Sequence, residues 1–317
     1  MRVLGANEIG PLLDMASCIR AVEDAFRARG TGRAAASATL GFALDGGGLH
    51  VKVASLDRYV VAKVNANFPR NPVQRKLPTI QGALILFDAT CGTPLVVMDS
   101  APITTMRTAA TTAVAASYLA HPGASTVTFL GCGVQARAHL TALCHVRPVR
   151  RVFAVDVQPA AADEFREFAI DEHGVQCSVA GSLRTAARAS EIIITCTPSE
   201  QAILHIDDVN PGSFVAAVGA DNEHKQEIDP ALLRESMIVV DDLEQCARIG
   251  DLHHAIAAGV VTRDDVHASL DEIVAGTRLA RGADNERIVF DSTGLALEDV
   301  AVAAVVYERA INASANA

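Results

Sequence analysis

Apolar residues fall into distinct rhythms along this chain. In MASCIRAVEDAFRARG, Ile19, Val22 and Phe26 recur at helical spacing and Gly30 is a natural stop, which predicts an amphipathic helix. From Ala36 to Asp99 the runs shorten. LHVKVAS, RYVVAKVNANF, GALILFDA and TPLVVMD are brief and β-branched, and DGGG, FPRNP and CGTP punctuate them, so a mostly antiparallel sheet is expected. TTMRTAATTAVAASYLAHPG predicts an Ala-rich helix that Pro122 and Gly123 end. Beyond residue 123 the rhythm alternates. STVTFLG, RRVFAVD, QCSVA, EIIITCT, SFVAAVG and MIVVDD predict strands, while VQARAHLTALCHV, PAAADEFREFAIDEHG and SLRTAARA predict helices. That alternation implies a parallel sheet covered on both faces. The closing LALEDVAVAAVVYERAINA predicts a long apolar helix that packs back on the first region. No internal repeat or low-complexity segment interrupts the pattern.

Composition narrows the class. Half of the 317 residues are hydrophobic, enough for a sizeable core, but Trp is absent and aromatics make up 4%, so Ala, Val, Leu and Ile must build it. A net charge of -10, with no run of five or six like charges, argues against a nucleic-acid partner. No apolar stretch has the length of a membrane span, and the first thirty residues carry acids throughout and lack a signal-peptide core, so a cytoplasmic protein is expected. The seven cysteines are odd in number and scattered, without a CxxC pair, which predicts buried reduced thiols and neither disulfide nor zinc. The ten histidines show no metal spacing, and His253–His254 is best taken as a helix-start pair. No G-x-S-x-G elbow and no P-loop occurs.

One turn carries chemistry. VTFLGCGVQA places Gly131-Cys132-Gly133-Val134-Gln135-Ala136 between a predicted strand and a predicted helix, in the form G-x-G-x-x-A. Gly131 allows the tight turn, Gly133 lets the backbone approach a pyrophosphate, and Ala136 keeps the helix near the sheet. The helix start then offers amide donors and a positive dipole end to phosphate. The next strand ends at Asp156, at the spacing expected of the acid that binds a ribose 2'-hydroxyl. A carboxylate there repels a 2'-phosphate, and no Arg follows immediately, which predicts NAD(H) over NADP(H).

Other residues stay open on their own evidence. CTPSE (196–200) and AVGADNEHKQEID (216–229) each follow a strand, where ligands of open α/β sheets lie. Asp221 in the second loop is either a general acid or base or an ordinary loop acid. Lys63 lies inside an apolar strand, where it is paired, functional or simply turned to solvent; with no partner in view the residues alone favour solvent. Arg107 opens the Ala-rich helix as a carboxylate ligand or a plain surface charge.

Several segments together resemble the ornithine cyclodeaminase/mu-crystallin family: AKVNANFPRN, LPTIQGALILFDATCGTPLVVMDSAPITTMRTAA, LGCGVQA, AVGADNEHKQEID, IVVDDLEQ and FDSTGLALEDVAVA. They recur in the family's order over nearly the whole chain, and the C-terminal half is most similar to its archaeal-type alanine dehydrogenase branch. The resemblance implies an α/β fold in which a Rossmann-type doubly wound parallel sheet is inserted into an α+β substrate-binding and dimerisation domain. The expected boundaries are 1–120, completed by 290–317, and 121–289 for the NAD domain. Homodimers are implied too. So are residue roles: Lys63 and Arg107 on the substrate carboxylate, Asp221 as acid/base with Lys63 beside it in the catalytic set, and Thr79, Arg107, Thr108, Val134, Gln135, Asp156, Thr197, Val218, Lys225 and Ser292 around NAD(H). There are departures. The resemblance aligns Thr39 with a second carboxylate-binding Arg of cyclodeaminases, His50 with a cyclodeaminase Glu, and Lys52-Val53 with an MP pair. His50 and Lys52 would line the substrate pocket, and Lys52 either restores a positive charge or faces solvent. The loss of the Glu weighs against ornithine cyclisation. The expected activity is therefore NAD(H)-dependent oxidoreduction at the C–N bond of a small α-amino or α-imino acid, as in alanine dehydrogenase or pyrroline-2-carboxylate reductase. The alternatives are a cyclodeaminase-type lyase that uses NAD catalytically and a crystallin-like binding protein without chemistry. No metal is expected.

Overall fold

A computed structural model describes residues 1–34 and 37–315; Ala36, where the strand-rich stretch is expected to open, lies outside the described residues. The chain divides into two compact units, Met1–Thr111 with Leu295–Ala317, and Thr112–Gly294.

The first unit holds a six-stranded sheet of β1 (Arg2–Leu4), β2 (Ser37–Leu44), β3 (Gly47–Leu56), β4 (Tyr59–Asn67), β5 (Ile80–Asp88) and β6 (Pro94–Asp99), ordered β1-β6-β5-β4-β3-β2. Neighbours from β2 to β6 are antiparallel and β1 runs parallel to β6. Side chains alternate between faces along each strand. On the inner face Ala54, Val61, Leu86 and Val96 are buried. Helix Ala296–Ala315 packs on β3 and β4 and against helix Met15–Gly30, whose Val22 and Phe26 are fully buried. Asp14 caps the latter helix by accepting the Ser17 N–H at 2.9 Å.

The inner face then changes character. One row further along it carries Thr39, Lys52 and Lys63 in register, and the next carries Gly41, His50, Asn65 and Gly82. The outer face stays apolar, with Leu40, Phe42 and Val64 exposed.

The second unit is a Rossmann-type doubly wound sheet inserted between the two segments of the first. Its strands are β7 (Thr126–Leu130), β8 (Arg151–Val155), β9 (Gln176–Val179), β10 (Ile192–Thr195), β12 (Phe214–Ala217), β14 (Met237–Val240), β15 (Val266–Ser269) and β16 (Ile288–Asp291). β11 (Glu200–Leu204) and β13 (Gln226–Ile228) form a separate parallel pair. The main sheet is parallel throughout, in the order β9-β8-β7-β10-β12-β16-β14-β15. Its first five strands follow the dinucleotide-fold order 3-2-1-4-5, with the reversal between β7 and β10, and β16, last in the chain, takes the sixth place ahead of β14 and β15. β10, β12 and β16 are buried along their whole length, as strands covered on both faces must be.

Three expectations need correction. The Ala-rich helix runs Ser100–Leu119 because Asp99 accepts the Ala101 N–H at 2.9 Å, so Arg107 lies inside the helix and not at its opening. Lys63 does not face solvent: helix Ala296–Ala315 covers that pleat, and the side chain is 3% exposed. The thiols are mixed, with Cys18, Cys132 and Cys246 buried and Cys91 exposed in a turn; none is in a disulfide. No helix among the described residues is long and apolar enough to cross a membrane.

Candidate active site

In the second unit the site grows from the β7 turn. Gly131 has φ +89, and a Cβ there would lie 2.8 Å from the Cys196 carbonyl oxygen at the end of β10. Only glycine lets the two strand ends approach this closely at the reversal point. A Cβ on Gly133 would meet nothing within 4 Å, so its backbone is open to a ligand. Helix Val134–Val146 begins there without a side-chain cap, which leaves its first amides available to an anion. Ala136 is fully buried against the sheet, and Val134 is exposed. The Gln135 Oε1 is buried without a partner among the described residues. Asp156 follows β8 and accepts the Cys132 N–H and the Gln158 N–H, each at 2.8 Å, which pins the acid to the turn. An open glycine, an uncapped helix start and a fixed acid fit a dinucleotide.

Loops after β10 and β12 are tied by a residue the sequence reading missed. Glu227 is fully buried and accepts Thr195 Oγ1 at 2.6 Å, the Thr197 N–H at 2.6 Å and the Gly219 N–H at 2.8 Å. Burial pushes its carboxyl up, and these donors only partly offset that. A Cβ on Gly219 would collide with Thr197 and Glu227. The Val218 N–H donates to the Thr195 carbonyl at 3.0 Å. Asp221 stands on the same loop, about two-fifths exposed, and accepts Lys225 Nζ at 2.7 Å. Asp241 accepts the Thr293 and Gly294 N–H groups at 2.7 and 2.6 Å and Ser292 Oγ at 3.2 Å. Asp251 accepts the Glu227 and Ile228 N–H groups, both at 2.8 Å, and Asp291 accepts the Leu252 N–H at 2.8 Å. Burial raises both carboxyls; Glu227 repels Asp251, and Asp251 repels Asp291.

The first unit holds a buried charge assembly. Lys63 Nζ lies 2.6 Å from Asp299 Oδ2 and donates to Thr104 Oγ1 at 3.5 Å. Arg107 donates from Nη1 to Glu298 at 2.6 Å and from Nε to Asp299 at 3.1 Å. Burial lowers Lys63 from 10.5 to about 8; Asp299 opposes that drop, and the charges of Arg107 and Lys52 add to it. Burial alone would raise Asp299, but Lys63 and Arg107 outweigh it and leave the carboxyl below its usual value. Removing Asp299 takes the acid from the buried Lys63, which costs about 3–5 kcal/mol.

The sequence pattern of the ornithine cyclodeaminase/mu-crystallin family matches residues 1–314. The chain belongs to that family. Alanine dehydrogenase of Archaeoglobus fulgidus is 38% identical over 98% of this chain and 95% of its own. The solved archaeal alanine dehydrogenase dimer with bound NAD superposes with a TM-score of 0.96 at 38% identity, covering 99% of this chain and 97% of that one. Delta(1)-pyrroline-2-carboxylate reductase of Thermococcus litoralis, solved with NADH and L-proline, gives 0.94 at 29% identity, over 99% and 98%.

Family membership leaves each residue where its own unit places it. Lys63, Arg107, His50, Thr79 and Thr108 lie in the first unit; Gly131, Gly133, Val134, Gln135, Asp156, Thr197, Val218, Asp221, Lys225 and Ser292 lie in the second. Thr108 Oγ1 donates to the Thr104 carbonyl at 2.7 Å, and Thr79 accepts the Phe68 N–H on its carbonyl at 2.8 Å. Glu298 and Asp299 had a signal that went unused: two adjacent acids in an otherwise apolar LALEDVAVA. A cavity of about 830 Å³ in the second unit is lined by Arg234, Met237, Val266, His267 and Arg287. It lies at the amino ends of β14, β15 and β16, opposite to where parallel sheets hold their ligands.

Proposed function

We propose that this chain is an NAD(H)-dependent oxidoreductase acting at the C–N bond of a small α-amino or α-imino acid, of the alanine dehydrogenase or cyclic imine reductase kind. The carrying observation is the assembly of Lys63, Arg107, Glu298 and Asp299, two buried cations each held by an acid, in a chain that also has a dinucleotide turn. Such fixed cations match the geometry of a carboxylate.

Gly131, Gly133, Val134 and Gln135 hold the pyrophosphate side of NAD(H), and Asp156 holds the ribose and disfavours NADP(H). Thr197, Val218, Lys225, Ser292, Thr79 and Thr108 complete the cofactor contacts. Bound NADH supplies a hydride to the substrate Cα, and NAD+ takes one from it. Lys63 and Arg107 orient the carboxylate, with Arg107 also near the cofactor, and Glu298 and Asp299 fix the two cations beforehand. Asp221 passes a proton to and from the substrate nitrogen, and Lys225 sets the position of its carboxylate. His50 lines the substrate side, on the same face as Lys63. Positioning and charge complementarity supply most of the rate.

The apolar outer face of the first unit, with Leu40, Phe42 and Val64, joins a second copy in a homodimer. The two units are the substrate-binding and dimerisation domain and the NAD domain.

The test is absorbance at the NADH band with pyruvate plus ammonia, pyruvate plus methylamine, pyrroline-2-carboxylate, piperideine-2-carboxylate and ornithine, each repeated with the phosphorylated cofactor. NADH loss with an imine or oxo acid is expected, with NADPH much slower. Ammonia released from ornithine without net absorbance change would overturn the reading in favour of a lyase.

A further inference from the structure

Three fully buried acids tie the strand ends of the second unit together. Glu227 on β13 accepts donors from the loops after β10 and β12. Asp251 accepts the Glu227 and Ile228 N–H groups at 2.8 Å, and Asp291, the last residue of β16, accepts the Leu252 N–H at 2.8 Å. Both amides on Asp251 go to Oδ1. Its Oδ2 has no partner among the described residues, and neither has Oδ1 of Asp291. A carboxylate oxygen buried without a donor is costly. The two acids adjoin: the Asp251 N–H also donates to the Asp291 carboxyl, and a Cβ on Gly250 would lie 2.4 Å from Asp291 Oδ2.

Their surroundings offer no counter-charge. Glu227 from β13 faces Asp251, and Asp241, just after β14, faces Asp291. Cys246, on helix Leu243–Ile249, donates its thiol to Asp241 at 3.1 Å. His253 and His254, on the helix of Asp251, are turned to the Ala247 and Lys225 carbonyls. Arg234 and Arg248 on the flanking helices are exposed. Burial and the neighbouring acids hold both carboxyls above the ordinary 3.8. One proton placed between the two open oxygens removes a charge and gives each oxygen a hydrogen-bond partner.

We propose that Asp251 and Asp291 share a single proton between Asp251 Oδ2 and Asp291 Oδ1, and that this pair positions the loops after β10, β12 and β16 for NAD(H). The positioning role rests on the dinucleotide reading given above. Thr197 and Val218 follow the strand ends that Glu227 joins, and Ser292 follows Asp291 directly. With the proton gone, two buried charges repel across the start of helix Asp251–Ala257. Both acids act through Glu227 and Ser292.

Asparagine can replace the proton. In Asp251→Asn, Oδ1 keeps its two amides and Nδ2 donates to Asp291 Oδ1. In Asp291→Asn, the oxygen keeps the Leu252 N–H and Nδ2 donates to Asp251 Oδ2. Either single variant is expected to fold and to bind NADH like the parent near pH 6. In the double variant two NH2 groups meet without an acceptor, so its folding constant should fall about tenfold or more below the sum of the single effects. The unfolded chain releases the proton near 3.8 and the folded chain keeps it, so parent stability falls as pH rises above that value. Each single variant lacks that proton, so by urea denaturation its folding constant should gain on the parent's by about tenfold per pH unit between pH 5 and 7. NADH affinity, by fluorescence, should weaken in the parent by about tenfold or more from pH 7 to 10 and stay flat in either single variant.

A gap between parent and single variants that does not change with pH, or a double variant that is merely additive, overturns the shared proton. Stability that behaves as expected beside NADH affinity that follows neither pH nor variant makes the pair structural and overturns the positioning role. No NADH binding at any pH removes the cofactor reading and that role with it, while denaturation still decides the proton. NADH binding with the expected pH behaviour, in a protein that turns over no amino or imino acid, supports the pair and removes the oxidoreductase reading instead.

Discussion

Lys63 shows how much one side chain can carry. Its pKa of about 8 lies below the ordinary 10.5, so it is charged at neutral pH and loses that charge as pH rises through about 8. If it grips the carboxylate, substrate affinity should weaken above that point. Arg stays protonated over the whole range, so Lys63→Arg should abolish the alkaline fall in kcat/KM between pH 7 and 10 even if it lowers the plateau. A fall that persists unchanged in the variant would assign it to another group. This residue was only half legible in the sequence. VVAKVNA showed a lysine among apolar neighbours, but strand alternation alone turned it to solvent. Its burial depends on a helix more than two hundred residues later, and no local pattern reports that. Gly131, Gly133 and Asp156 were legible without any relative, because a turn, an open backbone and a spaced acid are local requirements.

Among the elements, the longest periodic ones were read almost to the residue: Met15–Gly30, Val134–Val146 and Pro159–His173 are the predicted helices. β16 was missed, although it lies between β12 and β14 in the middle of the sheet. Its apolar run, Ile288–Phe290, is only three residues long and stands between Arg287 and Asp291, too short to separate from a loop. Close packing makes the turn after β7 intolerant. Gly131→Ala would place a Cβ 2.8 Å from the Cys196 carbonyl oxygen, in a backbone region that alanine disfavours. The expected cost is about 1–3 kcal/mol, seen as a lower melting temperature together with at least tenfold weaker NADH binding by fluorescence. Parent-like values for both would mean that the turn relaxes freely.

For the whole molecule, the outer face of the first sheet is the exposed feature that most needs covering. Leu40 and Phe42 are more than half exposed, at 56% and 58%, on the edge strand β2. A soluble monomer rarely presents a contiguous apolar sheet face. Sedimentation should therefore find a dimer at micromolar concentration, and Phe42→Glu should shift it to monomer with its far-UV spectrum unchanged. A monomeric parent would sink the homodimer.

The return of the last helix to the first sheet sets an order in time. During synthesis the strand that carries Lys63 and the helix that carries Arg107 leave the ribosome early, whereas Glu298 and Asp299 emerge only after the entire inserted unit. Until then the nascent first unit has two cations and no acids to receive them, so its inner face cannot close around them at an acceptable cost. The inserted unit, Thr112–Gly294, is by contrast complete in sequence before that acid pair appears. The carboxylate grip is thus the last part of the protein to be born, and a chain released before residue 299 would carry a dinucleotide fold beside a sheet with no means of sealing its own core.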